Sequence, residues 1–342
     1  MSDVGGVHLA AFETEYEAIL GRAREIISSF PPHLRFLAGP PLPLWAGFTF
    51  SRIVALFPFW VDDLLTEVHS PANSLPPSDP AAIETLGLAC LLGWWSYLLQ
   101  DELLDQDLVQ VDLLPLSIAL HATATRLLQG LVPGHQAFWE AFEHLSLTMA
   151  EAQAREQHLH LPALCDLESQ GSAPAPDQLY ELEHLADQSA LLHLPVVGTL
   201  ALRGLPATHP LAQSLAEMVR QYAIARQIGD DRADYLQDLG KGRLNYVSAC
   251  IVQRLWAAGA IQSYADLDAE WLASQFLSDD ELFAGLQQVA LDACQAAIGT
   301  LAAYKARFLR ELVNRQAEQL QQSYESALGA RHRWRSLFPT SR

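Results

Sequence analysis

The chain has 342 residues, half of them hydrophobic, and its formal net charge at pH 7 is −19. A hydrophobic fraction of this size supports a large core and argues against intrinsic disorder. The excess of acidic side chains argues against nucleic acid or an anionic membrane surface as the partner, because both require basic patches.

Helical periodicity dominates the sequence, and stretches rich in proline and glycine divide it into segments of helix length. The predicted helices cover residues 8–29, 45–68, 81–107, 113–130, 135–160, 178–203, 210–239, 245–259 and 279–327. Pro195 lies inside the sixth of these and predicts a kink near the carbonyl of Leu191. The pattern predicts an all-α fold, a single large bundle of about ten helices.

The cysteines and the amino terminus point to a reducing compartment. Residues 1–6 lack the basic region and apolar run of an export signal. The longest uncharged apolar run, residues 85–100, is too short to span a bilayer. The cysteines are widely spaced without a CxxC pair, which is typical of small buried side chains rather than of a disulfide or zinc set: Cys90, Cys165, Cys250 and Cys294. We therefore expect a cytoplasmic protein without a transmembrane segment.

Two acidic clusters are the most informative local features. Residues 101–105 (DELLD) end the apolar run, and Asp230, Asp234 and Asp238 follow one another at intervals of four residues. On a helix such intervals place the carboxylates on one face, where they repel each other unless a cation lies between them. Carboxylate oxygens suit Mg²⁺, which usually bridges protein carboxylates to substrate phosphates. A basic loop, residues 240–243 (GKGR), follows the second cluster. The sequence therefore predicts two walls of a cavity that binds a diphosphate through metal ions.

Both clusters resemble the metal-binding motifs of one superfamily, the class I isoprenoid synthases. Residues 227–234 (QIGDDRAD) resemble the second aspartate-rich motif of trans-prenyl diphosphate synthases. Residues 101–105 resemble the first metal motif, with Glu102 in place of the second aspartate. The order and separation of the motifs match that fold across roughly residues 45 to 330.

The second cluster also resembles the motifs of other branches of the superfamily. Asp230, Asp234 and Asp238 fit the metal-binding triad of class I terpene synthases, whose usual Asn, Ser or Thr, and Glu would all be Asp here. Residues 234–243 look like the second motif of squalene and phytoene synthases.

The resemblance implies a helical bundle whose central cavity binds an allylic diphosphate through three Mg²⁺ ions, with Mn²⁺ as a substitute. The ions neutralise the leaving diphosphate, whose departure produces an allylic carbocation. The implied metal ligands are Asp101, Glu102 and Asp105 in the first motif and Asp230, Asp234 and Asp238 in the second, of which Asp101, Asp105 and Asp230 are central to catalysis. The residues expected to bind the diphosphate are Arg226, Gln227, Lys241 and Arg243.

Aromatic residues before the first motif are candidates for lining the cavity. An aromatic face attracts a cation within about 6 Å, worth about 2 kcal/mol when desolvated. An apolar lining also keeps water away from the cation. The candidates are Phe57, Trp60, Trp94, Trp95 and Tyr97. Each of these rings could equally be part of an ordinary hydrophobic core. We expect Tyr97, one turn before Asp101, to be the ring that faces the cavity and takes part in catalysis.

The sequence favours a cyclase over the other branches. Elongating synthases carry a basic pair after the first motif for a second diphosphate, and residues 106–110 contain no base. Elongating synthases also carry a basic motif near the amino terminus, and the N-terminal Pro-rich region here offers only His33 and Arg35. The main prediction is therefore a terpene synthase that ionises a linear prenyl diphosphate and cyclises or rearranges the cation. Head-to-head and chain-elongating prenyltransferases are the alternatives. A catalytically silent helical protein and a di-iron bundle, for which residues 181–184 supply one ExxH signature, are distant ones.

The expected organisation places an N-terminal helix and Pro-rich segment in residues 1–44, the catalytic helical domain in residues 45–330 and a basic tail in residues 331–342. We expect the tail to be solvated, the alternative being a basic cap over the site. The expected partner is a small-molecule prenyl diphosphate, and a homodimer stays open.

Overall fold

The structure is a computed structural model that describes residues 9–39, 48–68, 76–104 and 113–337. Within these ranges the chain is helical, and strand-like pairing is limited to an isolated bridge between His160 and Arg243. The α-helices are α1 Glu13–Ser28, α2 Pro32–Ala38, α3 Thr49–Glu67, α4 Pro80–Leu104, α5 Leu114–Leu131, α6 Gln136–Gln157, α7 Leu161–Ser169, α8 Leu182–Asp187, α9 Leu194–Leu202, α10 Pro210–Gly240, α11 Tyr246–Ala257, α12 Ala269–Ser278, α13 Asp280–Thr300 and α14 Arg307–Leu337. The predicted all-α class is confirmed.

The chain divides into two compact units. The first comprises Met1–Glu143, Leu192–Ala216 and Ala302–Glu311, and the second comprises His144–Leu191, Glu217–Leu301 and Leu312–Arg342. The predicted domain boundaries at residues 44 and 330 stay a prediction.

The first unit is built around α4. This helix is apolar around most of its circumference, as expected of a helix buried on all sides. It packs against α1, α3, α5 and α9. Gly87 permits the close approach of α3, because a Cβ atom there would lie 2.4 Å from the carbonyl oxygen of Ala55. The first acidic cluster begins at the C-terminal end of this core helix.

The second unit contains α7, α8, α11, α12 and α13 with most of α6, α10 and α14. The buried side of α10 carries Tyr222, Ala225, Ile228, Tyr235 and Leu239, at helical spacing. The same helix carries the second acidic cluster on its other side. Asn245 begins α11 as its N-cap, accepting a hydrogen bond from the backbone N–H of Ser248 at 3.1 Å.

Several helix boundaries differ from the prediction. The segment 178–203 is not one kinked helix: it contains the short helices α8 and α9, and Pro195 lies in the first turn of α9. A proline is tolerated there because that turn needs no N–H donor. The segment 279–327 is also divided, between α13 and α14, although residues 300–306 contain neither glycine nor proline. The helices α2, α7 and α12 were not predicted.

The expectation of a solvated tail is wrong for Arg331. The helix α14 continues through this residue, whose side chain is only 2% exposed. Its guanidinium donates to the carbonyl oxygen of Phe276 and, at 3.0 Å, to Asp280 Oδ1.

Two segments are long and apolar enough to cross a membrane by length and composition alone, Pro80–Leu104 and Pro176–Leu202. Each has 61% of its most apolar window buried inside the protein. The first is the core helix α4, and the second is interrupted between α8 and α9. The predicted absence of a transmembrane segment stays a prediction.

Candidate functional site

The second acidic cluster lies on α10, in the second unit. Asp230 and Asp234 are one turn apart on the same face; the side chain of Asp230 is 48% exposed, and Asp234 is also exposed. Arg226, one turn before Asp230, places its Nη2 atom 3.0 Å from Asp230 Oδ2. A cation therefore already offsets part of the repulsion between these carboxylates.

Asp238 differs from the other two acids because both of its carboxylate oxygens accept hydrogen bonds. Arg243 Nη2 lies 2.8 Å from Oδ1, and Asn245 Nδ2 lies 2.9 Å from Oδ2. The side chains of Asp238 and Arg243 are only 16% and 9% exposed. The helical spacing thus places three acids on one face, but the third is bound to the loop that follows the helix.

Asp231 is a buried carboxylate that connects α10 to the beginning of α11. It accepts hydrogen bonds from Gln227 Nε2 at 2.8 Å and from the backbone N–H of Tyr246 at 2.9 Å. Burial raises the pKa of Asp231 to about 7, against the lowering effect of these two hydrogen bonds. Gln227, which the sequence assigns to the diphosphate, donates instead to Asp231 in this structure.

Asp231 and Asn245 are not among the site residues predicted from the sequence. Asn245 Nδ2 also donates to the carbonyl oxygen of Asp231 at 2.8 Å, so one amide at the beginning of α11 holds both Asp231 and Asp238 of α10. The sequence does contain a pattern that predicts Asn245 as an N-cap, because Asn directly before an apolar helical segment is typical of that position.

The basic loop that ends α10 is attached to the segment before α7. The backbone N–H of Leu161 donates to the carbonyl oxygen of Gly242 at 2.8 Å, and that of Leu244 donates to Leu159 at 2.9 Å. Gly242 has a φ of 76°, which favours glycine at this turn. Lys241 is exposed at the tip, whereas Arg243 is directed back toward Asp238. Of the two predicted diphosphate-binding bases in this loop, Lys241 alone is exposed.

The first acidic cluster lies at the end of α4, in the first unit. Asp101 and Glu102 are partly buried, and Tyr97 Oη donates to Asp101 Oδ1 over 3.4 Å. The predicted ligand Asp105 lies outside the described residues.

The aromatic candidates separate into two groups. Trp95, Phe57 and Trp60 are 0%, 4% and 3% exposed and belong to the packed core of the first unit. Trp94 and Tyr97 remain partly exposed, and their ring centroids are 5.6 Å apart. These two rings are therefore the ones that still fit a lining role next to Asp101.

The donor set fits Mg²⁺ shared with a phosphate rather than a metal held by protein alone. Within the described ranges, no three His, Cys, Asp or Glu side chains come together as a metal cage. Mg²⁺ commonly uses one or two carboxylates and completes its shell with water and substrate phosphates, which the pair Asp230 and Asp234 satisfies. The ExxH signature is unlike a di-iron ligand pair, because His184 Nδ1 accepts from the backbone N–H of Glu181 at 3.3 Å and caps α8.

Comparison with known proteins supports the assignment of the fold. No family model matches the chain, and no curated protein matches it. Among solved structures, a geranylgeranyl pyrophosphate synthetase from the archaeon Geoglobus acetivorans is similar with a TM-score of 0.66 and 15% identity, covering 92% of this chain and 100% of that one. A polyprenyl synthase from Roseobacter denitrificans is similar with a TM-score of 0.61 and 16% identity, and the match covers 93% of this chain and 97% of that one. A geranylgeranyl pyrophosphate synthase from Lactobacillus brevis has a TM-score of 0.61 and 12% identity, and the match covers 90% of this chain and 97% of that one. The chain has the all-α fold of these isoprenoid synthases, and the fold implied by the sequence resemblance is confirmed.

Proposed function

We propose that this protein is a Mg²⁺-dependent prenyltransferase. It binds an allylic prenyl diphosphate, releases the diphosphate and transfers the prenyl group to a second substrate, as a chain-elongating synthase does. The fold supports this proposal, since the similar structures are named as geranylgeranyl and polyprenyl synthases. The proposal replaces the cyclase that the sequence favours.

The observation that carries the choice is the environment of Asp238. A cyclase-type triad requires Asp230, Asp234 and Asp238 to turn toward metal, and the third is held by Arg243 and Asn245. The remaining pair, Asp230 and Asp234, are the first and last aspartates of the motif that resembles trans-prenyl diphosphate synthases. Two carboxylates with substrate phosphates suffice for Mg²⁺.

The residues have separate roles in this proposal. Asp230 and Asp234 would hold Mg²⁺, with Asp101 and Glu102 as candidates from the first motif. Bound Mg²⁺ would neutralise the charge that develops on the departing diphosphate. Lys241, exposed at the loop tip, would donate hydrogen bonds to the diphosphate.

The rings of Trp94 and Tyr97 would stabilise the prenyl cation. Each aromatic face within about 6 Å of a desolvated cation contributes about 2 kcal/mol. The hydrogen bond from Tyr97 Oη to Asp101 connects this ring to the first acidic motif.

One-substrate cyclisation is the second candidate. Two features favour it: no base follows the first motif in residues 106–110, and Phe50, Trp94 and Tyr97 form an aromatic group before Asp101. Such a group suits a cation that is stabilised through several rearrangements.

The two candidates differ in stoichiometry. Allylic diphosphates of C10, C15 and C20 length would be incubated with Mg²⁺, each with and without a five-carbon homoallylic diphosphate, and products identified by mass spectrometry. We expect a longer prenyl diphosphate only when both substrates are present. Cyclic products from the allylic substrate alone would establish the cyclase instead, and two allylic groups per product would establish head-to-head condensation.

A matched pair of variants tests the site within the same assay. Asp230→Asn removes a proposed ligand, and Asp292→Asn changes an exposed carboxylate on α13 that, like Asp230, has an i, i+4 partner. We expect Asp230→Asn to lose at least about 10²-fold in kcat/KM, within the range for losing transition-state electrostatics, and Asp292→Asn to retain wild-type activity. Equal activity in both variants would contradict the assignment of Asp230.

A further inference from the structure

The helix α10, which carries the second motif, has two opposite faces. Asp230 and Asp234 lie on one face, called the front here, and the opposite face is called the back. Arg232 is two residues from both, about 160° around the helix axis from each of them, and so extends from the back. Gly229 lies on the same side as Arg232, and there α10 touches the C-terminal helix α14: a Cβ atom on Gly229 would lie 2.8 Å from Leu320 Cδ2.

Arg232 is a buried cation held without an acidic partner. It is 7% exposed, and none of the described Asp or Glu side chains forms an ion pair with it. Its Nη1 donates to Gln287 Oε1 at 2.5 Å and its Nη2 to the carbonyl oxygen of Leu320 at 3.2 Å. The guanidinium carbon lies 5.7 Å from the ring centroid of Phe283 and 5.9 Å from that of Tyr324. One side chain therefore connects α10 to both α13 and α14.

The groups around Arg232 are themselves fixed. Gln287 is 5% exposed and donates to Gln321 Oε1 at 3.3 Å, which orients its carbonyl oxygen toward the guanidinium. The rings of Phe283 and Tyr324 are stacked with centroids 4.8 Å apart and an interplanar angle of 17°. Only a planar side chain with several donors satisfies a carbonyl on each neighbouring helix while covering these rings.

A stabilising role alone does not explain why Arg232 is a buried cation without an acidic partner. Apolar residues of similar volume often replace buried charges without loss of stability, so the core alone would be served by methionine. Methionine cannot make directional hydrogen bonds. The two hydrogen bonds of Arg232 fix the rotation of α10 about its axis and its position along that axis, two residues from Asp230 and from Asp234.

We propose that Arg232 is a positioning residue of the second motif, which braces α10 against α13 and α14 so that Asp230 and Asp234 are held in place for a metal-bound diphosphate. The proposal rests on the proposed function, because it names what the motif binds. It adds a residue that does not touch the substrate and acts through the orientation of its helix.

Arg331 provides a matched control in the same aromatic group. It is 2% exposed, its guanidinium carbon lies 4.4 Å from the ring centroid of Phe283, and it donates to the carbonyl oxygen of Phe276. It is likewise a buried guanidinium against Phe283, but it differs from Arg232 in having an acidic partner, Asp280 Oδ1 at 3.0 Å. Its hydrogen bonds to described residues join α14 to α12 and α13. A structural role predicts the same behaviour for both arginines, whereas a positioning role predicts different behaviour.

The test measures binding of Mg²⁺ and inorganic diphosphate to the full chain by calorimetry, together with the Tm of each protein. Arg232→Met should raise the Mg²⁺ concentration for half-saturation by about tenfold or more, as loss of an orienting partner does at metal sites. Arg331→Met should leave that concentration within about twofold, whatever its Tm. Arg232→Lys, which keeps the charge and loses the planar fork, should behave as Arg232→Met does.

A second variant leaves the motif helix unchanged. Gln287→Met removes the acceptor of Arg232 on α13 and should shift Mg²⁺ half-saturation in the same direction, so the test holds even if Arg232→Met does not fold. Equal shifts for the Arg232 and Arg331 variants, or no shift for Arg232→Lys and Gln287→Met, would overturn the positioning role. A wild-type protein without Mg²⁺-dependent diphosphate binding would overturn the proposed function itself.

Discussion

Replacing Asp238 by alanine would remove the carboxylate that pairs with the nearly buried guanidinium of Arg243. Arg243 and Asp238 are 9% and 16% exposed at their side chains, with 2.8 Å between Nη2 and Oδ1. Removing one partner of a buried pair costs about 3–5 kcal/mol, because the remaining charge is uncompensated. Since the pair keeps some contact with solvent, we expect the lower end, about 3 kcal/mol.

The assay is thermal unfolding of the metal-free protein. In a domain of 150–250 residues a loss of 1 kcal/mol lowers Tm by about 2–4 °C, so Asp238→Ala should lower it by about 6 °C or more. Asp234→Ala, one turn earlier and exposed, should stay within about 0.5 kcal/mol of wild type. The double variant Asp238→Ala, Arg243→Met should recover most of the lost Tm, because it removes the buried guanidinium as well as the carboxylate. A wild-type Tm for Asp238→Ala would refute the reasoning and return Asp238 to the set of available metal ligands.

Asp101→Ala and Asp230→Ala should each remove most activity with changes in stability within about 0.5 kcal/mol, as measured by Tm; loss of the fold in both would make the clusters structural. Exhaustive chelation should abolish turnover, and Mg²⁺ should restore it; undiminished turnover in chelator would exclude the carboxylate metal site. Tyr97→Ala should shift products toward prematurely quenched prenyl alcohols, measured by mass spectrometry, whereas Tyr97→Phe keeps the ring and should not. Gly87→Ala should destabilise the first unit by about 1–3 kcal/mol in denaturant unfolding, since its Cβ would overlap the carbonyl of Ala55, and an unchanged midpoint would show that α3 and α4 separate freely.

Local patterns in the sequence are sufficient for the fold class and for the faces of long helices. Four-residue spacing places Asp230 and Asp234 on one side of α10, as the structure confirms. Pro195 marks a real interruption, although the chain starts a new helix there instead of bending an old one. The break between α13 and α14 contains no proline, and Gly299 in the last turn of α13 is a weaker signal because a single glycine is tolerated in a helical pattern. Periodicity therefore predicts one helix straight through the break.

Contacts between distant segments are what the sequence cannot supply. Arg331 was expected in a solvated tail, and the sequence predicts no role for Arg232, yet each is buried with a hydrogen-bond partner 55 residues away. Similarly, Trp94 and Trp95 are adjacent and equally apolar, yet Trp95 is buried and donates to Ser51 Oγ at 3.1 Å while Trp94 stays partly exposed. Which neighbour enters the core depends on the helices packed against α4, and only the folded chain shows it.

The choice between two branches of isoprenoid chemistry depends on the same kind of contact. Asp230 and Asp234 belong equally to a prenyl synthase motif and to a cyclase triad, and Asp238 has the right spacing to complete the triad. The contacts of the loop after α10 support the proposed prenyltransferase rather than the triad, because Arg243 and Asn245 together engage both oxygens of Asp238. A carboxylate in that environment would have to give up two hydrogen bonds and its ion pair with a nearly buried guanidinium before it could turn to a metal, which is unfavourable by several kcal/mol. We therefore propose Asp230 and Asp234 as the ligands of this motif, a pair whose Mg²⁺ shell a shared diphosphate would complete.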